Sequence, residues 1–407
     1  MRRRPMARFR ELPPTAGLPL TLSDLVGGGG DFERQAAAFL GVDALQLECS
    51  GTAAFIVALR TLHRRTGRRK VIVPAYTCPL VAIAVAQCRL DLVVCDTERG
   101  GFGLDIGHLS RLADRDTLAI IPTHLGGRQA ELGDIYALAR HVGAAVIEDA
   151  AQSFGATSNG QALGIHADAT FYSFAAGKGL TLYEGGLLFT PDEDLRRDMR
   201  ALSQATIRPD PAMERRRSIE LAAYALLYNP TGLVFAYGRP LRRELAAHAI
   251  EDAIGDRFSL EAPLHTVGAW RRGVAAKALS RLPAFLKATA ERAKGRRLKL
   301  LSLPGIDVLG DAPGNDGTWP FLMVLMPDRA SRDRALEMLW KKGLGVTRLF
   351  AYALPDYDYL KPIVPRIEMP NARDFAGRLL TVTNSPFMTE PEFDLVALKI
   401  QDAIRAG

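Results

Sequence analysis

Lys178 and Asp149 are the residues whose types and setting could do covalent and proton-transfer chemistry. Ala144, Ala145, Val146 and Ile147 read as a buried strand that delivers Glu148 and Asp149 at its carboxyl end, where open α/β sheets place their ligand sites. A second apolar run, Ala169 to Phe174, brings up Ser173, and Lys178 follows in a turn between Gly177 and Gly179. A carboxylate and an amine at neighbouring strand ends suit pyridoxal phosphate (PLP), whose aldehyde takes a lysine and whose ring nitrogen takes an acidic partner. A P-loop would need Gly at position 172 and Ser or Thr at 179; Tyr172 and Gly179 exclude it. Taken alone, such an Asp and Lys are more often a helix cap and a solvated side chain.

The elements that must position these groups alternate along the chain. Apolar strands are predicted at Leu45–Glu48, Lys70–Pro74, Leu90–Cys95 and Leu118–Pro122, with helical patterns after the first, second and fourth. From residue 45 to 190 this alternation predicts a mostly parallel sheet with helices on both faces. Cys49-Ser50-Gly51-Thr52 opens one helix, AAFIVALRTLHRR, whose free N–H groups and positive dipole end make an anion site. Asp31 is the expected N-cap of DFERQAAAFLG, after a flexible lead at Gly27 to Gly30. A linking helix from Val274 to Leu301 leads to strand WPFLMVLM, helix RASRDRALEMLWKKG, strands GVTRLF and RLLTVTN, and a last helix from about Pro391, an α+β arrangement.

Composition is that of an ordinary globular chain, 48% hydrophobic and 24% charged over 407 residues, long enough for two domains. The net charge of +7 suits an anionic small molecule; the basic residues are dispersed, and no nucleic-acid partner is expected. Cys49, Cys78, Cys88 and Cys95 lack CxxC spacing and read as reduced core residues, with no metal site. No apolar run of signal-peptide length follows MRRRPMARFR, so a cytoplasmic protein is expected. Leu221 to Gly238 carries no charge over 18 residues but is interrupted at Asn229-Pro230-Thr231-Gly232. Two short apolar helices on the body or a dimer interface are expected there, with shallow membrane-peripheral contact, arginines toward anionic lipid, as the alternative.

EDAAQSFGA, then YSF, Lys178, and EGG before an apolar strand resembles the DegT/DnrJ/EryC1/StrS family of PLP-dependent sugar aminotransferases. The SGT, VPAYT and HLGG segments extend the likeness, and the C-terminal third shares it more weakly. The resemblance implies the aspartate aminotransferase-like fold type I, an α/β domain with a smaller α+β domain. It implies Lys178 as Schiff-base lysine, Asp149 as ring-nitrogen partner, Gln152 as a cofactor contact, and Ser173 with Ser50, Gly51 and Thr52 as phosphate ligands. It implies transamination from an amino donor, glutamate by family analogy, to a nucleotide-linked keto sugar, in a homodimer with shared active sites. The division expected is an arm (1–30), a PLP-binding domain (31–204), an atypical insert (205–265) and a linking helix with the small domain (266–407).

Several positions depart from the family pattern. Cys78 stands where an aromatic ring usually follows the YT, leaving the flat contact on the cofactor to another residue such as Tyr76. Tyr183 stands where Gly usually precedes EGG, so Tyr183 and Glu184 are candidates for the site mouth, and His124 for a substrate-side acid or base. No Asn is found at 265–273, where a neighbouring subunit usually reaches the phosphate; Arg271 or Arg272 is the substitute considered. Phe350, Tyr352 and Tyr357 are candidates for a substrate wall. These departures keep two alternatives open: a PLP-fold binding or assembly protein with impaired catalysis, and a PLP enzyme acting on a non-sugar or lipid-linked ketone.

Overall fold

The computed structural model describes residues 9–26 and 29–406. Gly27 and Gly28, part of the expected flexible lead, and most of the basic N-terminal run lie outside them. Seven strands form the large sheet: β1 (Gln46–Glu48), β2 (Lys70–Pro74), β3 (Asp91–Cys95), β4 (Thr117–Ile120), β5 (Ala145–Asp149), β6 (Ala169–Ser173) and β7 (Gly186–Phe189). Their order is β1-β7-β6-β5-β4-β2-β3, and β7 alone runs against its two neighbours. The sheet is therefore mostly parallel, as predicted. Central strands such as β4 and β7 are buried along their whole length, because helices cover both faces and no polar side of the sheet is left.

The helices around it begin where their caps are. Asp31 accepts from Arg34 N at 3.1 Å to start α1 (Phe32–Leu40), and Gly41 ends it in the left-handed region at φ 70°. Ser50 Oγ accepts from Ala53 N at 3.0 Å to start α2 (Gly51–Thr66), and Pro79 opens α3 (Pro79–Gln87). The smaller domain carries β8 (Asp307–Val308), β9 (Phe321–Leu325), β10 (Val346–Thr347) and β11 (Leu379–Thr383), all antiparallel, in the order β8-β9-β11-β10. The strand expected over GVTRLF is thus only two residues long.

Leu221 to Gly238 does not form two short apolar helices of its own. One helix, α4 (Pro211–Leu227), starts at the Asp210 cap, passes through Arg215, Arg216 and Arg217, and only then becomes apolar. Asn229 Oδ1 accepts from Thr231 N and Gly232 N at 3.2 and 3.0 Å, which turns the chain where the break was predicted. A π-helical turn at Val234–Gly238 runs into α5 (Arg239–Ala246), and α6 (Ile250–Ile254) ends at Gly255, φ 78°. The linking helix is likewise two helices, α7 (Ala269–Leu279) and α8 (Leu282–Leu301). Pro283 is the cause, since it has no N–H to donate and its ring crowds the carbonyl one turn back. Among the described residues no helix is long and apolar enough to cross a membrane.

Candidate active site

The carboxyl ends of β2, β4, β5 and β6 open onto a cavity of about 340 Å³. Lys178 lies where this cavity meets a second one of about 220 Å³, which the arm residues Pro14 to Ala16 and the small domain help to line. Asp149 ends β5 and is 3% exposed; its Oδ1 accepts from Ala151 N at 3.0 Å. Burial pushes the Asp149 carboxyl up, against the Ala151 N–H and the Lys178 charge. Burial pushes the Lys178 amine down, against Cys78 and Asp149. Each group lacks enough countercharge to be comfortable where it is, a state that suits a nucleophilic amine and a carboxylate awaiting a cation.

The cavity also reaches a helix N-terminus of the kind that receives an anion. Gly51 and Thr52 line it at the start of α2, with Ser173 opposite. A Cβ on Gly51 would stand 3.0 Å from Ser173 Cβ, so only glycine lets the helix start come this close with its N–H groups bare. Gly186 does the same from behind: a Cβ there would lie 2.4 Å from Gly51 N and from Ser50 C. Gly186, the last residue of EGG, therefore seats the helix end on the sheet. Ser50 spends its hydroxyl on the cap, and its side chain is not at the cavity wall.

Gln152 lines both cavities; its Oε1 accepts from Gly126 N at 2.7 Å, which leaves the NH2 end as donor. His124 is fully buried with both ring nitrogens engaged. Nδ1 accepts from Ala130 N at 3.2 Å, so the proton is on Nε2 and is donated to Glu148 Oε2 at 2.6 Å. That donation and the Tyr136 hydroxyl outweigh burial and hold Glu148 below the usual carboxylate range. Cys78 reaches the wall, and burial pushes its thiol up to about 12, so it stays protonated.

Tyr76, Tyr183 and Glu184 are not brought to this cavity. Tyr76 is 1% exposed, edge-on to Phe350 and Phe375, with its hydroxyl accepting from Phe350 N at 3.2 Å. Tyr183, at φ 65°, lines a separate apolar pocket of about 430 Å³ with Tyr224, Tyr228 and Tyr237. Glu184 pairs with Arg217 and with His265. Arg271 is buried against Glu214 and the Glu184 carbonyl, and Arg272 pairs with Glu33 at 3.2 Å, so both are engaged within the chain.

The sequence reading missed Ile254, Gly255, Asp256 and Phe258, which line the cavity although they come from the insert. Asp256 accepts at Oδ2 from Tyr357 Oη at 2.6 Å and Ala351 N at 2.8 Å, and burial pushes it up to about 7. The only signal in the sequence was a Gly-Asp turn after a short helical pattern, which is common in loops.

The sequence profile of the DegT/DnrJ/EryC1/StrS aminotransferase family matches residues 29–227. That span is just under half of the chain, and over it the sequence is similar to the DegT/DnrJ/EryC1/StrS family. A segment of 172 residues, 42% of the chain, is 36% identical to GDP-perosamine synthase of Caulobacter vibrioides, covering 46% of it. A segment of 176 residues, 43% of the chain, is 38% identical to a UDP-N-acetyl-3-dehydro-alpha-D-glucosamine 3-aminotransferase of Acidithiobacillus ferrooxidans, covering 47% of it. The match thus spans about half the length of these curated relatives. The fold extends further: the putative sugar aminotransferase Spr1654 of Streptococcus pneumoniae, PMP form, superposes with a TM-score of 0.74 over 97% of this chain and 99% of that one, at 18% identity. Lys178, Asp149, Gln152, Ser173 and the α2 start all lie inside the span matched to the DegT/DnrJ/EryC1/StrS profile, whereas Asp256 and Phe258 lie beyond it.

Proposed function

We propose that the chain is a PLP-dependent aminotransferase that moves an amino group from an amino acid, glutamate by analogy, to a nucleotide-linked keto-deoxysugar. The observation that carries this reading is the convergence on one cavity of the Lys178 amine, the Asp149 carboxyl and the bare N-terminus of α2 with Ser173. These residues fit the cofactor group by group. Lys178 would hold the aldehyde carbon, Asp149 the protonated ring nitrogen, and Gly51, Thr52 and Ser173 the phosphate. A cationic ring nitrogen would restore charge to a carboxyl that burial alone pushes up. Bound PLP would serve as the electron sink that makes the C–H bond beside the substrate nitrogen acidic.

This chain's own residues would do the rest. The Lys178 amine, already pushed down by burial, is a competent base to lift that proton and return it at the carbonyl-derived carbon. Asp149 would keep the ring nitrogen protonated throughout. Gln152 would donate its NH2 group to the cofactor's phenolic oxygen, and the protonated Cys78 would not compete with Lys178 for the aldehyde. A homodimer is proposed as the assembly, with Ile219, Leu226 and Phe235, 63%, 61% and 50% exposed, as the apolar face available on the insert. Flotation with anionic vesicles tests the membrane-peripheral alternative. The deciding experiment is the absorption spectrum of the purified chain with added PLP, beside Lys178→Ala. A visible band that needs Lys178 and bleaches with L-glutamate is expected; no band at saturating PLP would overturn the reading.

A further inference from the structure

The cavity contains a second carboxyl that the chemistry above does not use. Asp256 is 4% exposed, yet it lines the same cavity as Cys78, Lys178 and Asp149. It is held from three directions. Tyr357 Oη and Ala351 N both donate to Oδ2, and Tyr359 Oη donates to the Asp256 carbonyl at 2.6 Å. Ala351, Tyr357 and Tyr359 all belong to the loop between β10 and β11, so Asp256 joins the insert to the small domain across the cavity.

Both side-chain donors go to one oxygen. Among the described residues Oδ1 accepts no hydrogen bond, and it is not sealed from solvent as the orphaned buried atoms of the molecule are. A carboxyl that only stapled two segments together would gain from being an amide or hydroxyl, because burying the charge costs several kcal/mol unless something pairs with it. Burial does push Asp256 up to about 7, with Glu251 adding to the shift and the two donors opposing it. Oδ1 is thus the side-chain atom of Asp256 left for a ligand, and in the charged form it can only accept a hydrogen bond. Of the other polar groups lining the cavity, Lys178 makes no hydrogen bond or ion pair to Asp256, and Cys78 keeps its proton.

We propose that Asp256 is a substrate-binding residue, whose Oδ1 accepts a hydrogen bond from a hydroxyl of the sugar being aminated. A carboxylate oxygen suits a sugar ring, which offers hydroxyl donors, and disfavours a phosphate or carboxylate at the same place. The diphosphate of a nucleotide sugar is thereby directed away from this wall. The amino donor, glutamate, brings two carboxylates and has no hydroxyl for Asp256 to accept, so Asp256 separates the two half-reactions. Phe258, two residues on, and Ile254, two residues before, give this polar contact an apolar surround. That arrangement fits a sugar ring, which has an apolar face and polar edges.

The inference rests on the aminotransferase reading, and the test keeps the two apart. Wild type, Asp256→Asn, Asp256→Ala and Tyr357→Phe are loaded with PLP, and bleaching of the visible band is titrated with L-glutamate. The same titration is then made with a UDP-, a GDP- and a TDP-linked amino-deoxyhexose, which enter from the product side. At least one sugar is expected to bleach the wild-type band. Its half-saturating concentration should rise by about 10- to 100-fold in both Asp256 variants. Tyr357→Phe should show a smaller rise of the same kind, while L-glutamate stays within about twofold in all of them. Equal losses for sugar and glutamate would make Asp256 a structural staple and overturn the inference, as would unchanged sugar titration. Bleaching of the wild type by glutamate but by none of the three sugars would overturn it as well. Absence of the Lys178-dependent band in the wild type would instead remove the aminotransferase reading, before any variant is compared.

Discussion

The sheet side of the cavity and the side built by residues 250–258 each hold one carboxyl, Asp149 and Asp256, at 3% and 4% exposure. Asp149 is fixed by its own neighbourhood: its N–H donates to Pro122 O at 2.9 Å, its strand pairs with β6 through Phe171, and Ala151 two residues on supplies the N–H to its side chain. Asp256 follows a five-residue helix and is fixed by partners 95 and 101 residues further along the chain. A group at the end of a central strand cannot move without breaking the ladder, which suits steps common to every turnover. A group on an insert can be exchanged without disturbing the sheet, which suits recognition of one substrate among several.

The comparison is sharpened first by Asp149→Asn, from which the largest effect is expected. Losing the carboxylate should lower turnover with any donor by about 100- to 1000-fold, measured as the rate of glutamate-driven bleaching. A loss under tenfold would break the assignment of common chemistry to the sheet side. Gly186→Ala comes next. The added methyl would press on Ser50 and Gly51 backbone atoms from which it could not retreat, so chemical denaturation should show a stability loss of about 2–3 kcal/mol together with weaker PLP binding. An unchanged midpoint would mean that the α2 start is seated by something other than this contact.

Asp256→Asn should have the smallest effect, and the opposite sign. The folded-state value of about 7 stands above the ordinary 3.8, so the contribution of Asp256 to stability is complete below about pH 4 and lost as pH rises through 7. Three units correspond to a cost on the order of 4 kcal/mol for the charged form, which binding, not folding, must offset. Asparagine keeps an acceptor for Tyr357 and Ala351 and removes that cost. The variant should therefore be about 1–2 kcal/mol more stable than wild type at pH 8, without ligand, and level with it at pH 5. The titratable groups around Asp256 are Tyr357, Tyr359, Tyr76, Glu251 and Cys78. A variant less stable at both pH values would place Asp256 with the structural groups and erase the contrast with its role as a binding residue.

How much of this was legible in the residues follows from the range of the interactions. The order of Asp149, Gln152, Ser173, Lys178 and EGG is local, and a parallel sheet with short connections converts such an order into a shared rim. Tyr183 illustrates a half-legible case. Its replacement of the usual glycine was visible, and the structure keeps the left-handed backbone at φ 65° while turning the ring to the pocket beside Tyr224. Tyr76 was a reasonable source of a flat contact by position, but it packs edge-on between Phe350 and Phe375 instead.

The sequence by itself determined the alternation of strands and helices, the strand-end carboxylate and lysine, and the helix start that receives an anion. All of these depend on hydrogen-bonding patterns and periodicities that span a few residues. Only the tertiary structure decided that α4 runs charged residues into apolar ones as one helix and that Asp256 reaches the cavity. The reason is burial: whether a carboxyl on a loop is solvated or enclosed depends on chain segments a hundred residues away, and no local pattern records which of them will arrive.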